Sequence, residues 1–279
     1  MKLASFSHAG TATWGLVGDG FVTEAGTLRA RFPDLKSLIA AGAVAQAAQA
    51  DGARIPFAEI TWLPVIPNPD KILCIGLNYE THRKETGRSE VENPTVFTRF
   101  PNSQTGHLAP LLRPKVSTDF DFEGELAVII GTSCRHVSRD DAFAQVAGYA
   151  CYNDGSVRDW QRHTHQFTPG KNFPETGPFG PWMVTPDEVG ALDDLRLQTR
   201  VNGQVVQDAR LGQMIFDIPR QIEYCSTFTR LEPGDVIATG TPGGVGAKRT
   251  PPLWLKPGDV VEVEIDRVGL LRNPVADES

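Results

Sequence analysis

The run Glu125-Leu-Ala-Val-Ile-Ile-Gly131 constrains the fold of this 279-residue chain more than any other segment. It is apolar, β-branched towards its end and closed by glycine, which is the pattern of a buried strand. Strand side chains alternate between faces, so Glu123 and Glu125 at its head point the same way. Neighbouring carboxylates repel, and burying either alone is expensive. A second apolar stretch, Ala147-Gly-Tyr-Ala-Cys-Tyr152, leads to Asp154 and is suited to lie beside the first. Three carboxylates converging on one point call for a cation, and all-oxygen ligation suits Mg²⁺, Mn²⁺ or Ca²⁺. The competing reading of Glu-x-Glu is a solvated strand edge.

The rest of the chain reads as mainly β. Residues 1–65 form a separate small unit in this reading, and 66–279 the larger domain. Trp14–Val22 has the pattern of a hairpin turning at Gly18-Asp19-Gly20. Asp34 is placed to cap a helix running to about Ala50, stopped by Asp51-Gly52. Pro64, Pro67 and Pro69 then make a linker. Strands are expected at Lys71–Ile75, Pro94–Thr98, Glu125–Ile130, Gly148–Asn153, Trp182–Thr185, Leu195–Val201, Asp235–Thr239 and Val260–Ile265. Asn202-Gly203 marks a tight hairpin. Ser138–Asp141 reads as a capping box before a helix at Ala142–Ala147, and 213–229 as one longer helix. Many strands and few helices indicate a mixed, β-rich α+β architecture rather than a doubly wound sheet.

The net charge of −7 and the scattered basic residues argue against a nucleic-acid partner. No apolar run approaches membrane-spanning length, and the N-terminus lacks the apolar core of a signal peptide. Cys74, Cys134, Cys151 and Cys225 have no metal-type spacing, so reduced thiols in a cytoplasmic protein are expected.

Several segments in fixed order carry a family resemblance: Gly76-Leu-Asn-Tyr-Glu-Thr-His82-Arg-Lys-Glu85, Asp121–Gly131, Gly148–Gln161, Gly170-Lys-Asn-Phe173, Gly177–Pro181 and Leu231–Gly246. From about Lys71 to Gly269 the chain resembles the fumarylacetoacetate hydrolase family, in its acylpyruvate hydrolase-like or 2-hydroxyhepta-2,4-diene-1,7-dioate isomerase-like branch. The resemblance implies a catalytic domain of rolled β-sheets around a metal centre, with a small N-terminal α/β domain. It also implies a homodimer and a small keto-acid substrate. Glu123, Glu125 and Asp154 fall at its metal positions, and Mg²⁺ or Mn²⁺ is the implied ion. His82 and Glu85 fall at the family's water-activating pair, and Lys171 at a lysine facing developing enolate charge. Arg158 and Gln161 match positions that orient substrate oxygens.

The residues support these roles only in part. Tyr79–Gly87 is helix-compatible, so three-residue spacing puts His82 and Glu85 on one face. A carboxylate there fixes the imidazole tautomer, as a general base requires; otherwise the two are an incidental surface pair. Gly87–Asn93 is charged and poor in apolar residues, which suits a mobile lid with His82 far from the metal until closure. Thr239–Gly246 lacks the Gly-Lys-Ser/Thr ending of a nucleotide loop, but backbone N–H groups such as that of Gly240 and the Thr241 hydroxyl suit a substrate carboxylate. Arg99 replaces a lysine common in the family, and Pro174 an acidic residue. His107, His163 and His165 add imidazoles without an assigned role.

The expected reaction is metal-dependent hydrolysis of a carbon–carbon bond in a 1,3-diketo acid such as an acylpyruvate. His82 would take a proton from water attacking the distal ketone, and Lys171 would offset the enolate released. Decarboxylation of oxaloacetate, isomerisation or decarboxylation of a dienoate diacid, and a catalytically silent binding protein are the alternatives.

Overall fold

The computed structural model describes residues 1–279. The strand Gly124–Ile130 is buried along its whole length. It pairs antiparallel with Val146–Asn153 on one side and Val236–Ala238 on the other. These belong to a 12-stranded sheet that runs, edge to edge, Arg54–Pro56, Phe21–Glu24, Thr11–Val17, Lys2–His8, Gly177–Val184, Val146–Asn153, Gly124–Ile130, Val236–Ala238, Ile72–Gly76 and Thr95–Arg99, with two short strands pairing off this path. A second sheet of five strands, Gln204–Arg210, Arg196–Val201, Val260–Ile265, Gly269–Asp277 and Leu111–Arg113, packs against it.

Period-two alternation explains how the central strand serves two cores. Leu126, Val128 and Ile130 pack with Leu197, Val263, Ile265 and Leu271 of the second sheet. Ala127 and Ile129 point the other way, among Ile72, Cys74, Ala150, Trp14 and Leu35. Glu123 and Glu125 share that second parity.

Residues 1–65 extend the large sheet at one edge. Lys2 and Leu3 pair with Val184 and Met183, and Leu3, Trp14 and Leu35 lie in one core with Ile72, Ala127 and Phe179. The proline-rich stretch 64–69 therefore separates two parts of the chain that share a core. The Gly18–Gly20 hairpin forms as expected, and Asn202 and Gly203 both take the positive φ (51° and 78°) of a tight hairpin turn.

Three helices differ from expectation. Asp34 does cap a helix through the Ser37 N–H (2.7 Å), but that helix is Leu35–Ala40, ending before Gly42 at φ +62°. Val44–Gln49 continues only as a 3-10 helix. Ala142–Gln145 is likewise a short 3-10 segment, because Val146 and Ala147 are drawn into the sheet; ahead of it Ser138 Oγ accepts the Asp141 N–H (3.3 Å) and donates to Asp141 Oδ2 (2.7 Å). The longer helix starts at Ile218, where Asp217 accepts from the Arg220 N–H (2.9 Å) and Pro219 occupies the first turn. All four cysteines are free thiols. No helix is long and apolar enough to cross a membrane.

Candidate active site

Gly124 sets the direction of both glutamates. A Cβ there would fall 2.0 Å from Thr199 Oγ1 on the second sheet, so only glycine lets the sheets approach. Its neighbours Glu123 and Glu125 consequently face away from that sheet. Asp154 reaches the same spot by register. Gly124 pairs with Asn153, the Glu123 N–H donates to Asn153 Oδ1 (2.9 Å), and the Asp154 N–H donates to the Glu123 carbonyl (2.9 Å). Oxygens of Glu123, Glu125 and Asp154 lie within 4.8 Å of one another, and all three residues are buried.

The charges around this cluster are unevenly matched. Lys171 Nζ donates to Glu123 Oε2 (2.8 Å) and Asp154 Oδ2 (2.5 Å). Arg99 Nη1 donates to Asp154 Oδ1 (2.7 Å) and the Gly155 carbonyl (2.8 Å), and Nη2 to Thr176 Oγ1 (2.7 Å). Arg158 pairs with Glu123 Oε1 (2.6 Å) through Nη1 and with Asp121 Oδ2 (2.8 Å) through Nε. Glu125 has no cationic partner and accepts only the Gly240 N–H (2.9 Å). Burial, then the charges of Asp154 and Glu123, push its pKa far above the usual carboxylate range. Burial would also raise Glu123, but Lys171 and Arg158 outweigh it and hold that carboxyl low. Burial disfavours the Lys171 ammonium, yet Asp154 and Glu123 keep it charged. Four buried carboxylates, counting Asp121, thus face three buried cations. A hard divalent cation ligated by oxygen meets that deficit, and the donor set of three carboxylates without thiolate or imidazole fits Mg²⁺ or Mn²⁺.

His82 stands in the cavity wall above this floor. It lies on the helix Glu80–Thr86, and its Nδ1 is 2.7 Å from Glu85 Oε1. Glu85 Oε2 accepts the Gly244 N–H (2.8 Å), and the Gly243 N–H donates to Thr81 Oγ1 (3.0 Å), so the glycine-rich loop clamps the helix. His82 is 5% exposed and close enough to Glu123 to help depress its pKa. His82 therefore stands close to the carboxylates in this structure, not apart from them as expected. The stretch beyond Gly87, including Arg88 and Ser89, is open to solvent at the cavity mouth.

The cavity between floor and wall has a volume of about 1030 Å³, and His82, Glu123, Glu125, Arg158, Gln161 and Lys171 all line it. Lys171 ends a short helix, Thr168–Lys171, and is 1% exposed, not a solvated loop tip. Arg158 Nη1 also donates to Gln161 Oε1 (3.0 Å), while Nη2 is buried without a partner and available to a ligand. Thr241 lines the cavity too, but its hydroxyl donates to the Gly124 carbonyl (3.0 Å) and accepts from Gln207 (2.8 Å). The Gly240 N–H, spent on Glu125, orients a candidate metal ligand instead of meeting substrate. His163 and His165 line the mouth, whereas His107 lies apart, edge-on to Trp62 with ring centroids 5.6 Å apart. Sequence reasoning gave no role to Arg99 or Asp121. The signal for Arg99 was its parity with Phe97, whose ring lies 5.1 Å from Lys171 Nζ.

The model of the fumarylacetoacetate (FAA) hydrolase C-terminal family matches residues 71–276. Oxaloacetate tautomerase FAHD2A, mitochondrial, from Homo sapiens is 42% identical over 223 residues, covering 79% of this chain and 71% of the human protein. The structure of fumarylacetoacetate hydrolase from psychrophilic Exiguobacterium antarcticum superposes with a TM-score of 0.88 at 33% identity, over 100% of both chains. Maleylpyruvate hydrolase from Sphingobium sp. SYK-6, in complex with manganese(II) and pyruvate, superposes with a TM-score of 0.82 at 30% identity, again over 100% of both. With its carboxylate floor inside the matched residues, this chain belongs to the fumarylacetoacetate hydrolase family.

Proposed function

We propose that this protein is a divalent-metal-dependent enzyme for the enolate chemistry of 2-oxo acids, and that it interconverts the keto and enol forms of a 2-oxo diacid such as oxaloacetate. The observation carrying this reading is the His82–Glu85 pair seated against a buried carboxylate cluster that also holds Lys171. Mg²⁺ or Mn²⁺ held by Glu123, Glu125 and Asp154 supplies Lewis-acid neutralisation of charge on the 2-oxo acid. Glu85 occupies Nδ1 of His82, which leaves Nε2 to take a proton from the carbon beside the carbonyl. The electron pair left by that proton forms a carbon–carbon double bond as the carbonyl π pair moves onto oxygen, and protonation of that oxygen gives the enol. Lys171 offsets the developing negative charge. The unpaired Nη2 of Arg158 holds a substrate carboxylate. The 42% identity to an oxaloacetate tautomerase supports this reaction over the hydrolysis expected from sequence.

Hydrolysis of a 1,3-diketo acid is the second reading, with His82 taking its proton from water. A cavity of about 1030 Å³ favours it, being large for a four-carbon diacid, as does the likeness to maleylpyruvate hydrolase.

The test follows enol absorbance and products with Mn²⁺-loaded and EDTA-treated protein, on oxaloacetate and acetylpyruvate. Metal-dependent acceleration of oxaloacetate enol–keto exchange, without loss of carbon dioxide, is expected. His82→Ala should lower that rate by about 10²–10⁴-fold while Mn²⁺ binding persists. Pyruvate and acetate from acetylpyruvate, with oxaloacetate exchange unaccelerated, would select hydrolysis.

A further inference from the structure

The mouth of the cavity is one-sided in charge, unlike its floor, where carboxylates and cations are mixed. Among its 25 lining residues the only carboxylates are Glu123 and Glu125, both at the buried floor. Three exposed cations, Arg88, Arg162 and Lys248, line the other end, joined by His163 and His165. None of the three cations has an ion-pair partner, although the chain carries a net charge of −7. Exposed basic residues elsewhere are of both kinds, some paired, as Arg139 is with Asp217 (2.6 Å) and Arg196 with Asp208, and some without an ion pair, as Lys115, Arg230 and Lys256 are; what sets these three apart is that they share one cavity mouth. Unpaired cations gathered on a concave surface focus a field that attracts anions.

Two of these cations are tied to the floor by one buried side chain. Asp121 Oδ1 accepts the Gly246 N–H (2.8 Å), and Oδ2 accepts the Ala247 N–H (3.0 Å), which fixes the turn Gly246–Lys248. The same Oδ2 accepts Arg158 Nε (2.8 Å), which fixes the helix Arg158–Gln161 that Arg162 ends. The positions of the Arg162 and Lys248 backbones relative to Glu123 are thus tied together through Asp121 and Arg158. A ligand whose first carboxylate sits at the floor meets fixed positive charge at the mouth.

We propose that Arg162 and Lys248, with Arg88 closing the rim, form a specificity subsite for the distal carboxylate of an extended 2-oxo diacid. The proposal rests on the floor being the 2-oxo acid site. The subsite discriminates by charge at the far end of the chain: a terminal carboxylate is drawn between the rim cations, while a terminal methyl group gains nothing there. It also favours diacids long enough to span floor and mouth over oxaloacetate itself.

A matched pair of ligands tests this on the Mn²⁺-loaded protein by calorimetry. 2-Oxoadipate and 2-oxohexanoate have the same chain length and differ only in the distal carboxylate, and oxalate probes the floor alone. The native protein should prefer 2-oxoadipate by about tenfold or more, a preference that weakens with salt. The double variant Arg162→Gln/Lys248→Gln should lose that preference and keep its oxalate affinity. Equal native affinities for the matched pair, or a preference that survives in the double variant, would overturn the subsite and leave the floor assignment standing. Absence of oxalate binding to the native protein would overturn the floor assignment, and the subsite with it. Loss of oxalate binding in the double variant alone would show that the substitutions act on the floor, and would also overturn the subsite.

Discussion

Two buried regions join distant parts of this chain, and they do so by opposite means. The seam where residues 1–65 meet the rest is aromatic. Trp62 packs against Phe57 (ring centroids 5.0 Å apart), Trp182 (6.0 Å) and His107 (5.6 Å). The cavity floor is ionic, with Asp121, Glu123, Glu125 and Asp154 set against Arg99, Arg158 and Lys171. Aromatic contacts gain dispersion and burial without a desolvation penalty. Buried ions must recover a cost of several kcal/mol each, and replacing them by apolar residues often leaves a protein as stable or more so. The fold already has a cheaper way to join segments, as the seam shows. The floor therefore reflects chemistry, and its opening onto the cavity agrees with that.

The contrast can be broken most forcefully from the seam. Trp62→Ala should destabilise the protein by about 3–5 kcal/mol through loss of a large buried ring, read as a lower denaturation midpoint, with Mn²⁺ affinity unchanged. A parallel loss of Mn²⁺ affinity would mean that the two regions are one unit. The converse substitution is Glu125→Gln. It removes the carboxylate that lacks a cation but keeps an acceptor for the Gly240 N–H. Mn²⁺ affinity should fall by about 100-fold or more, beyond the usual effect of altering a group behind the ligands. The metal-free variant should unfold no earlier than the native chain, since burial and the charges of Asp154 and Glu123 already oppose ionisation of Glu125 there. Undiminished Mn²⁺ affinity would remove Glu125 from the ligand set.

The seam contains one titratable exception. His107 Nδ1 accepts the Arg272 N–H (3.0 Å), and burial, then the Arg272 charge, lower its pKa to about 4. Its pKa when unfolded is near the ordinary histidine value of 6.5, so below that pH the unfolded chain binds the extra proton. Stability is fully present above 6.5 and is lost progressively as the pH falls through about 4, by roughly 3 kcal/mol at most. His107→Gln should flatten this acid limb in denaturant titrations between those two pH values. A limb of unchanged slope would place its origin elsewhere.

How much was legible depended on how local the physics is. Glu123 and Glu125 could be placed on one face from strand parity alone, and Asp154 near them because it follows the next apolar run. The His82–Glu85 pair followed from helix spacing. Lys171 was reached only through the family resemblance, since lysine after a Pro-Gly turn otherwise reads as solvent-exposed. The alanine-rich run after Asp34 overstated its helix, because propensity is a weak prior and Gly42 leaves the helical region. Ala142–Ala147 failed for a different reason, tertiary override, as the strand beginning at Val146 took its last two residues. That Lys2 pairs with Val184 was beyond local pattern altogether.

Arg99 was visible only as a departure from the family's lysine, and it offers the finest test of what the floor requires. Its guanidinium spans Asp154 Oδ1, the Gly155 carbonyl and Thr176 Oγ1 in one plane, and Gly177 leaves room for it: a Cβ there would fall 2.7 Å from Nη2. Lysine carries the same charge but has no planar fork to bridge three acceptors. Arg99→Lys should therefore keep the ion pair with Asp154 while releasing Thr176 and loosening the carboxylate's orientation. If orientation matters as well as charge, Mn²⁺ affinity should drop by about tenfold with only a small change in denaturation midpoint. Arg99→Met supplies the other limit, since it deletes the charge and leaves Asp154 to Lys171 alone. A lysine variant that binds Mn²⁺ as tightly as the native protein would mean that the floor is defined by its charge balance alone. A lysine variant as impaired as the methionine one would mean that the fork geometry is indispensable at this position.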